Sequence, residues 1–461
     1  MQRATSVSLV DQTPLTDEAV EDDASDRQEA PRRLTPDGRF WLGILAAVGL
    51  GAVVRFVYLF GAAPSPVAGD GFAYRLAGLR LADGLGYTVA IGDVGAPDAH
   101  HPPGWVTVLG AVSELGGRSF RAHQVTGVVI GLGVILVAGL VGRRYAGRRV
   151  GVVAAFLAAA YPGFWVIEPQ ILSEPLGLLV LGVLMLVLAD LWERPTLARA
   201  LLAGGVVGAL ALVRGEQLAL LAIAVAPILV LNRRVDVARR FLFTGAAVLA
   251  AGVVLAPWTI YNLGRFEEPV VLSTNGGSTL LAGNCPPDTY EGELIGSFDN
   301  LCNFQVSARH IGSDMSQLDV EAREVALDNM GDNVHRLPET VLARYGRLLG
   351  VFRPAQGVRL DAEWFGSATW PVWAWIAAFW VLAPVAAAGS VLLRRSGRLH
   401  WPLVAPAVIV VAVVTVTFGD PRYHTMADLG VIVLAAVAAC ALAGRLSRRR
   451  QTRAIQTEEA R

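Results

Sequence analysis

The side chains of this sequence that could do chemistry are Asp70, Glu174, Arg214, Glu216, Asp420, Arg422, Tyr423 and the neighbours His100 and His101. A carboxylate can take a proton from a hydroxyl. An arginine can hold an anion through two parallel N–H donors. Paired histidines raise the question of a metal, but adjacent ring nitrogens point differently, and no Cys or third His stands at ligand spacing, so no metal is expected. Glu168, Asn275 and Asn284 belong with this group, as does Arg55, late in an apolar run. Arg55 either snorkels its charge to the membrane surface or helps to bind an anion.

The elements that must position these groups are apolar. The chain has 461 residues, 54% of them hydrophobic and 17% charged, with a mean hydropathy of +0.48. A soluble protein averages about 45–50% apolar with glycine counted; here glycine comes on top. A span needs roughly 20 mostly apolar residues, and ten runs qualify or nearly do. They are 40–60, 125–141, 150–161, 171–191, 197–213, 217–231, 241–261, 370–393, 401–418 and 425–442, the third and sixth being short. The predicted fold class is an all-α polytopic membrane protein. There is no basic face of the kind a nucleic-acid binder needs.

Arginine sets the orientation. Clusters follow the second, fourth, sixth, eighth and tenth runs and precede the first, among them Arg143–Arg144, Arg233–Arg234, Arg394–Arg395 and Arg448–Arg450. All fall on one side if ten spans alternate. The opposite short turns carry Arg214 alone and Arg422 alone. The positive-inside rule then places both termini in the cytoplasm of a multi-pass cytoplasmic-membrane protein. Residues 1–38 read as a disordered acidic tail, 39–444 as the membrane domain and 445–461 as a basic cytoplasmic tail. Two large segments face outward, 61–123 and 262–369. The first should carry helices near Tyr74–Leu81 and after Pro102–Pro103. The second should carry an amphipathic helix within 338–352.

This topology gathers the polar groups at one outer boundary, with the middles of most spans clean. Charges at membrane depth are costly and usually functional. The pattern favours chemistry in an outer cleft over a conduction path. Ordinary roles stand beside each: Asp70 as a cap for a helix starting near Phe72, Glu174 as a favourable acid at a helix start, Arg214 paired with Glu216, and Arg422 paired with Asp420. Cys285 and Cys302 share the second outer segment, where conditions are oxidising, and a disulfide is expected over two free thiols. Cys440 lies in a span as an apolar filler. There is no phosphate loop and no dinucleotide fingerprint, and no internal repeat of the kind many transporters show.

Several stretches resemble the C-type glycosyltransferases, and more narrowly the dolichyl-phosphate-mannose–protein mannosyltransferase family and its bacterial relatives. They are the first span ending in RFVYL, then GDGFAYRLAGLRLADGLGYT, then the His/Pro-Pro-Gly piece. SEPLGLL, LVRGEQLALL, NLGRFEEPVVLSTNGGSTLLAGNCP and GDPRYHTMADLGVIVLAA follow in order. Many relatives have two acids where this chain has Asp70 followed by Gly71. The resemblance implies a polyprenyl-phosphate sugar donor, no certain cofactor, and an inverting transfer to an acceptor hydroxyl on the outer face. Asp70 would be the catalytic base, with Glu174 or Glu168 as substitutes. Arg214, Arg422 and Arg55 would hold the donor phosphate. His100, His101, Glu174, Glu216, Tyr423 and Asn275 would line the substrates. The sugar, and whether the acceptor is protein, lipid or wall polysaccharide, stay open. A flippase for lipid-linked sugars is the alternative, since it too would be polytopic.

Overall fold

The computed structural model of the chain describes residues 35–459, with side chains through residue 447. The acidic tail therefore lies almost wholly outside the described residues, and its end, from Pro36, already belongs to the first helix. The last helix likewise continues through the expected basic tail as far as Glu459.

Eighteen α-helices follow one another among the described residues: α1 (Pro36–Gly61), α2 (Gly69–Ala82), α3 (Pro103–Glu114), α4 (Phe120–Ala146), α5 (Arg148–Ala160), α6 (Pro162–Trp165), α7 (Glu174–Glu193), α8 (Leu197–Ala211) and α9 (Ala226–Val230) come first. Then come α10 (Val237–Asn262), α11 (Gly276–Ala282), α12 (Leu301–Arg309), α13 (Met315–Asp332), α14 (Leu337–Leu348), α15 (Pro354–Phe365), α16 (Thr369–Arg395), α17 (Trp401–Val416) and α18 (Thr425–Glu459). No strand forms among these residues; Thr88 and Pro97 make an isolated bridge.

The chain is a multi-pass membrane protein. Six helices are long and apolar enough to cross a bilayer by themselves: α1, α4, α7, α10, α16 and the helix running on from Pro421. The other four apolar runs are helical but shorter or broken. The third bends by 50° between α5 and residues 162–170, while α8 and α17 are short. The sixth winds as a 3₁₀ turn over Gly215–Ala219, a π turn over Leu221–Val225 and then α9. Pro227 lacks the N–H that a regular ladder would need there, and it sits where the winding changes.

Small residues let the helices approach. Gly204 and Gly208 of α8 lie against the α10 backbone at Ala247 and Ala251, with no room for a side chain. This spacing is the small-xxx-small device by which membrane helices pack when hydrophobic burial cannot drive them together.

The two large segments expected to face outward, 61–123 and 262–369, both carry helices. In the first, α2 and α3 form where expected, α3 starting on Pro103. They enclose a core of Tyr74, Trp105, Val106 and Leu109. In the second, α14 covers the predicted amphipathic helix. Cys285 and Cys302 are joined, their Cα atoms 5.6 Å apart, and pack among Leu281, Val306, Ala322 and Ala326. Arg344 of α14 ties this segment to the end of α17. Its guanidinium donates to the Thr415 carbonyl at 2.6 Å, the Gly283 carbonyl at 2.8 Å and Asn284 Oδ1 at 2.9 Å. Asn284 is thus a fully buried structural residue, away from any reacting group.

Candidate active site

Asp70 stands in the first turn of α2 but does not cap it. Ala68 occupies the cap position, and no side chain closes it. The carboxylate turns instead to the far end of the sequence, where its Oδ2 accepts from Arg422 Nη1 at 2.7 Å. The flanking glycines serve protein contacts. Gly69 has φ +58, and a Cβ there would strike the Trp364 indole; a Cβ on Gly71 would overlap the Gln170 carbonyl oxygen. Glycine at both places lets the start of α2 drop onto its neighbours.

Arg422 projects from the 3₁₀ turn Pro421–His424. Asp420 does not take its guanidinium; Asp420 Oδ1 accepts the Arg422 backbone N–H at 2.7 Å. The guanidinium bridges two carboxylates, Asp70 through Nη1 and Glu174 Oε1 through Nε at 2.6 Å. Arg214 approaches the same Glu174 Oε1 at 2.9 Å and donates from Nε to Glu216 at 2.7 Å. The result is a relay, Asp70–Arg422–Glu174–Arg214–Glu216, of three carboxylates and two guanidiniums. Among the described residues, neither Arg422 Nη2 nor Arg214 Nη2 has a hydrogen-bond partner. Glu174 is buried at the start of α7, held by two arginines from two other elements.

The relay lies at a cavity of about 1060 Å³. Asp70, His100, His101, Arg214, Glu216, Asn275, Arg422 and Tyr423 line it. The structure therefore brings together the groups the sequence singled out, with three exceptions: Asn284, described above, and Arg55 and Glu168, which are elsewhere. They form a sealed ion pair, Nε to Oε2 at 2.7 Å, with almost no solvent exposure, and Arg55 Nη1 also donates to the Ala159 carbonyl at 3.1 Å. Arg55 neither snorkels nor reaches an anion in the cavity. It is aligned with a partner on the Glu168–Gln170 turn, which compensates its charge in the protein interior. Glu168 is thereby withdrawn from service as a base.

Burial alone would raise the Asp70 carboxyl. The Arg422 charge, with His101 and His100 behind it, outweighs burial and holds Asp70 well below the usual carboxylate range. Burial, then the neighbouring His100, push His101 down to about 3, against the pull of Asp70 and Glu174. The ring is neutral at physiological pH, and it stacks on Tyr74 with centroids 4.2 Å apart. Asn275 Nδ2 lies 3.4 Å from its Nδ1.

Sequence reasoning passed over Asp361, Gln217, Thr274, Trp364 and Phe298, all on the cavity wall. Asp361, from α15, faces Asp420. Burial holds both carboxyls above their ordinary range, and the Asp420 charge raises Asp361 further. Two acids in contact at a buried position do not both ionise. Nothing in the spacing of Asp361 along α15 separates it from an exposed helical acid; only its meeting with the last outer turn does. Among the described residues, no three His, Cys, Asp or Glu side chains are grouped to hold a metal ion.

Comparison with known proteins places this geometry. Residues 100–261 match the family model described as dolichyl-phosphate-mannose-protein mannosyltransferase. The matched stretch includes His100, His101, Glu174, Arg214 and Glu216, and leaves Asp70 and Arg422 outside it. No curated protein matches the chain. Among solved structures, the archaeal oligosaccharyltransferase AglB from Archaeoglobus fulgidus, in complex with an inhibitory peptide and a dolichol-phosphate, is similar over 91% of this chain and 52% of its own, at 15% identity and a TM-score of 0.50. The Archaeoglobus fulgidus oligosaccharyltransferase in the apo form gives 14% identity and a TM-score of 0.50, over 90% of this chain and 52% of its own. ArnT from Cupriavidus metallidurans bound to undecaprenyl phosphate gives 17% identity over 88% and 78%, at 0.42. The chain spans about half the length of AglB. The fold is similar to that of the Archaeoglobus fulgidus oligosaccharyltransferase. The resemblance read from the sequence, to the dolichyl-phosphate-mannose–protein mannosyltransferase family, is borne out by the match over residues 100–261.

Proposed function

We propose that this protein is a membrane glycosyltransferase. It moves a hexose or pentose from a polyprenyl-phosphate donor to an acceptor hydroxyl at the outer face of the cytoplasmic membrane, in one inverting displacement. The observation that carries this reading is the relay at the cavity, where two guanidiniums each keep one Nη2 unengaged beside a carboxylate with an open oxygen.

Arg214 Nη2 and Arg422 Nη2 bind the donor phosphate, whose lipid tail stays in the bilayer beside the spans. The acceptor hydroxyl attacks the anomeric carbon from the face opposite the phosphate. The new C–O bond forms as the bond to the phosphate oxygen breaks. The hydroxyl proton passes to Asp70 Oδ1, and the charge left on polyprenyl phosphate is met by the arginines. Donor binding also prepares the base. In the free protein Arg422 makes Asp70 a weak proton acceptor. A phosphate at Arg422 offsets that field, and the Asp70 carboxyl rises towards its ordinary range.

The AglB structure holds dolichol-phosphate and a peptide, which supports a lipid-phosphate donor and a protein acceptor here. The same cavity would serve a lipid or wall-polysaccharide hydroxyl. The reading also takes the ten apolar runs as ten spans, with both termini inside. Reporter fusions after Gly61 and Asn284 are expected to read outside and one after Arg449 inside; an outside signal at Arg449 removes the topology. The chemistry is tested with purified protein and polyprenyl-phosphoryl mannose plus a panel of other polyprenyl-phosphoryl sugars. Release of polyprenyl phosphate in the presence of an envelope extract is expected. Movement of the intact lipid across vesicles without release would make the protein a flippase instead.

A further inference from the structure

The helix that follows the turn of Arg422 carries an acid that the relay does not use. Asp428 lies in the first turn of α18 and is fully buried. An acid at a helix start suits the helix dipole, and an exposed one would serve that purpose. Asp428 instead faces inward. Its Oδ2 accepts from the Tyr161 hydroxyl at 2.9 Å, and His424 Nδ1 lies 2.9 Å from Oδ1 and 3.0 Å from Oδ2. Ionisable groups buried in a membrane protein are costly and mark function.

The three residues come from separate places in the chain and meet behind Arg422. Tyr161 stands between α5 and α6, where the third apolar run bends by 50°. His424 ends the 3₁₀ turn Pro421–His424, on which Arg422 stands. Its ring stacks on Phe379 of α16 with centroids 3.9 Å apart, and meets Trp375 edge-on at 5.5 Å. Turn, bend and two membrane helices are thus fastened at one point. The backbone of Arg422 is held as well, its N–H by Asp420 and its carbonyl by Thr425 Oγ1, each at 2.7 Å. None of Tyr161, His424 and Asp428 lines the cavity, whereas Arg422, Tyr423 and Met426 do. The cluster acts on the cavity only through the turn it holds.

We infer that Tyr161, His424 and Asp428 are positioning residues, which hold the Arg422 guanidinium in register with Asp70, Glu174 and the donor phosphate. This rests on the reading of the cavity as a glycosyltransferase site. The guanidinium makes bonds of 2.7 and 2.6 Å to carboxylates from α2 and α7. In the proposed reaction it must present its remaining nitrogen to a phosphate at the same time. Apolar side chains of similar volume often replace a buried polar cluster at little cost in stability. What such a replacement loses is the direction that hydrogen bonds impose along with their distance.

The test is a mutant cycle on the full-length protein in lipid nanodiscs. It reads affinity for polyprenyl phosphate, and release of polyprenyl phosphate from the polyprenyl-phosphoryl sugar that wild type uses best. The triple variant Tyr161→Phe, His424→Phe, Asp428→Leu strands no polar group and is expected to accumulate in the membrane like wild type. Its transfer should fall about 10²-fold, the scale of a 1 Å misplacement, and its affinity for polyprenyl phosphate roughly tenfold. Tyr161→Phe alone removes one hydrogen bond and should slow transfer roughly tenfold; it carries the test if the triple variant fails to accumulate. In an Arg422→Lys background neither should cost more than about twofold further, because a cluster that acts through Arg422 is not additive with its loss. A merely structural role would add its full loss to that of Arg422→Lys. Wild-type transfer and binding in the variants, or fully additive losses, overturn the inference and leave the glycosyltransferase reading standing. A wild type that binds polyprenyl phosphate but transfers no sugar overturns that reading instead, and the cycle read in binding then decides this inference alone. No binding by wild type overturns both.

Discussion

Two arginine–carboxylate assemblies stand out in this protein, and they differ in what they leave open. Arg55 and Glu168 meet in a dry interior, and Arg55 spends its remaining donor on the Ala159 carbonyl. Neither lines the cavity beside the relay. Arg422 and Arg214 instead share Glu174, hold Asp70 and Glu216 at the ends, and both line that cavity. An interior ion pair is weak evidence of net stability, but removing one partner strands a charge. The lesson is that an intramembrane arginine is informative only together with what its last N–H faces.

Mutagenesis can break this comparison, and the largest effect belongs to the sealed pair. Arg55→Met leaves Glu168 buried and unpaired, and is expected to cost about 3–5 kcal/mol. It should appear as loss of membrane-inserted protein in fluorescence size-exclusion profiles. Arg55→Met combined with Glu168→Met should restore accumulation, and any protein recovered should transfer sugar normally. A catalytic defect in the recovered double variant would bring Arg55 back into the site.

Asp70→Asn comes next. The amide keeps size and much of the contact with Arg422, and cannot accept the proton. Transfer should fall at least ~10²-fold with accumulation and donor binding retained. Normal transfer would move the base to Glu174. Arg214→Lys and Arg422→Lys keep charge but lose the fork that reaches carboxylate and phosphate together. Each should weaken donor affinity about tenfold, by titration with polyprenyl-phosphoryl sugar; two unchanged affinities would refute the phosphate assignment.

The smallest effect is an expected constancy. His101 is held down to about 3 and Asp70 lower than its ordinary value. Both are groups whose folded-state pKa is depressed. Asp70 therefore contributes stability above its unfolded value, lost only as pH falls through the folded one. For His101, the unfolded chain takes up a proton that the folded ring refuses, so its contribution to stability falls as pH drops from about 6.5 towards 3. Binding of a sugar phosphodiester, which itself does not titrate here, should vary less than about twofold between pH 8 and 5.5, allowing for the usual His value near 6.5. A step near pH 6.5 would show His101 protonating as in water and the cavity wall wetter than described.

Much of this was legible in the sequence because the membrane simplifies the code. Each apolar run became helix, and the lone arginines of otherwise arginine-poor turns, Arg214 and Arg422, did converge on the cavity. Periodicity placed α2, α3 and α14. What could not be read was pairing over distance. Arg422 looked matched to Asp420, one turn away, and took Asp70 and Glu174 instead. Arg55 looked like a surface group because its distance from Glu168 along the chain hides their contact. Gln217 and Thr274 carry no charge or motif, and only the closed cavity places them on its wall. The glycines beside Asp70 carry no sign in the sequence of their partners, Trp364 and Gln170.

Asp70 and its guanidinium are separated by 352 positions, and that separation has a consequence for biosynthesis. A ribosome that has delivered the first outer segment to the membrane has made the carboxylate and nothing to orient it. Glu174 and Arg214 follow in turn, but the bridge between them and Asp70 arrives only with the last outer turn, after nearly all spans are threaded. A chain stalled before residue 422 therefore holds an incomplete relay, and the site is assembled only once the turn that carries Arg422 has been made.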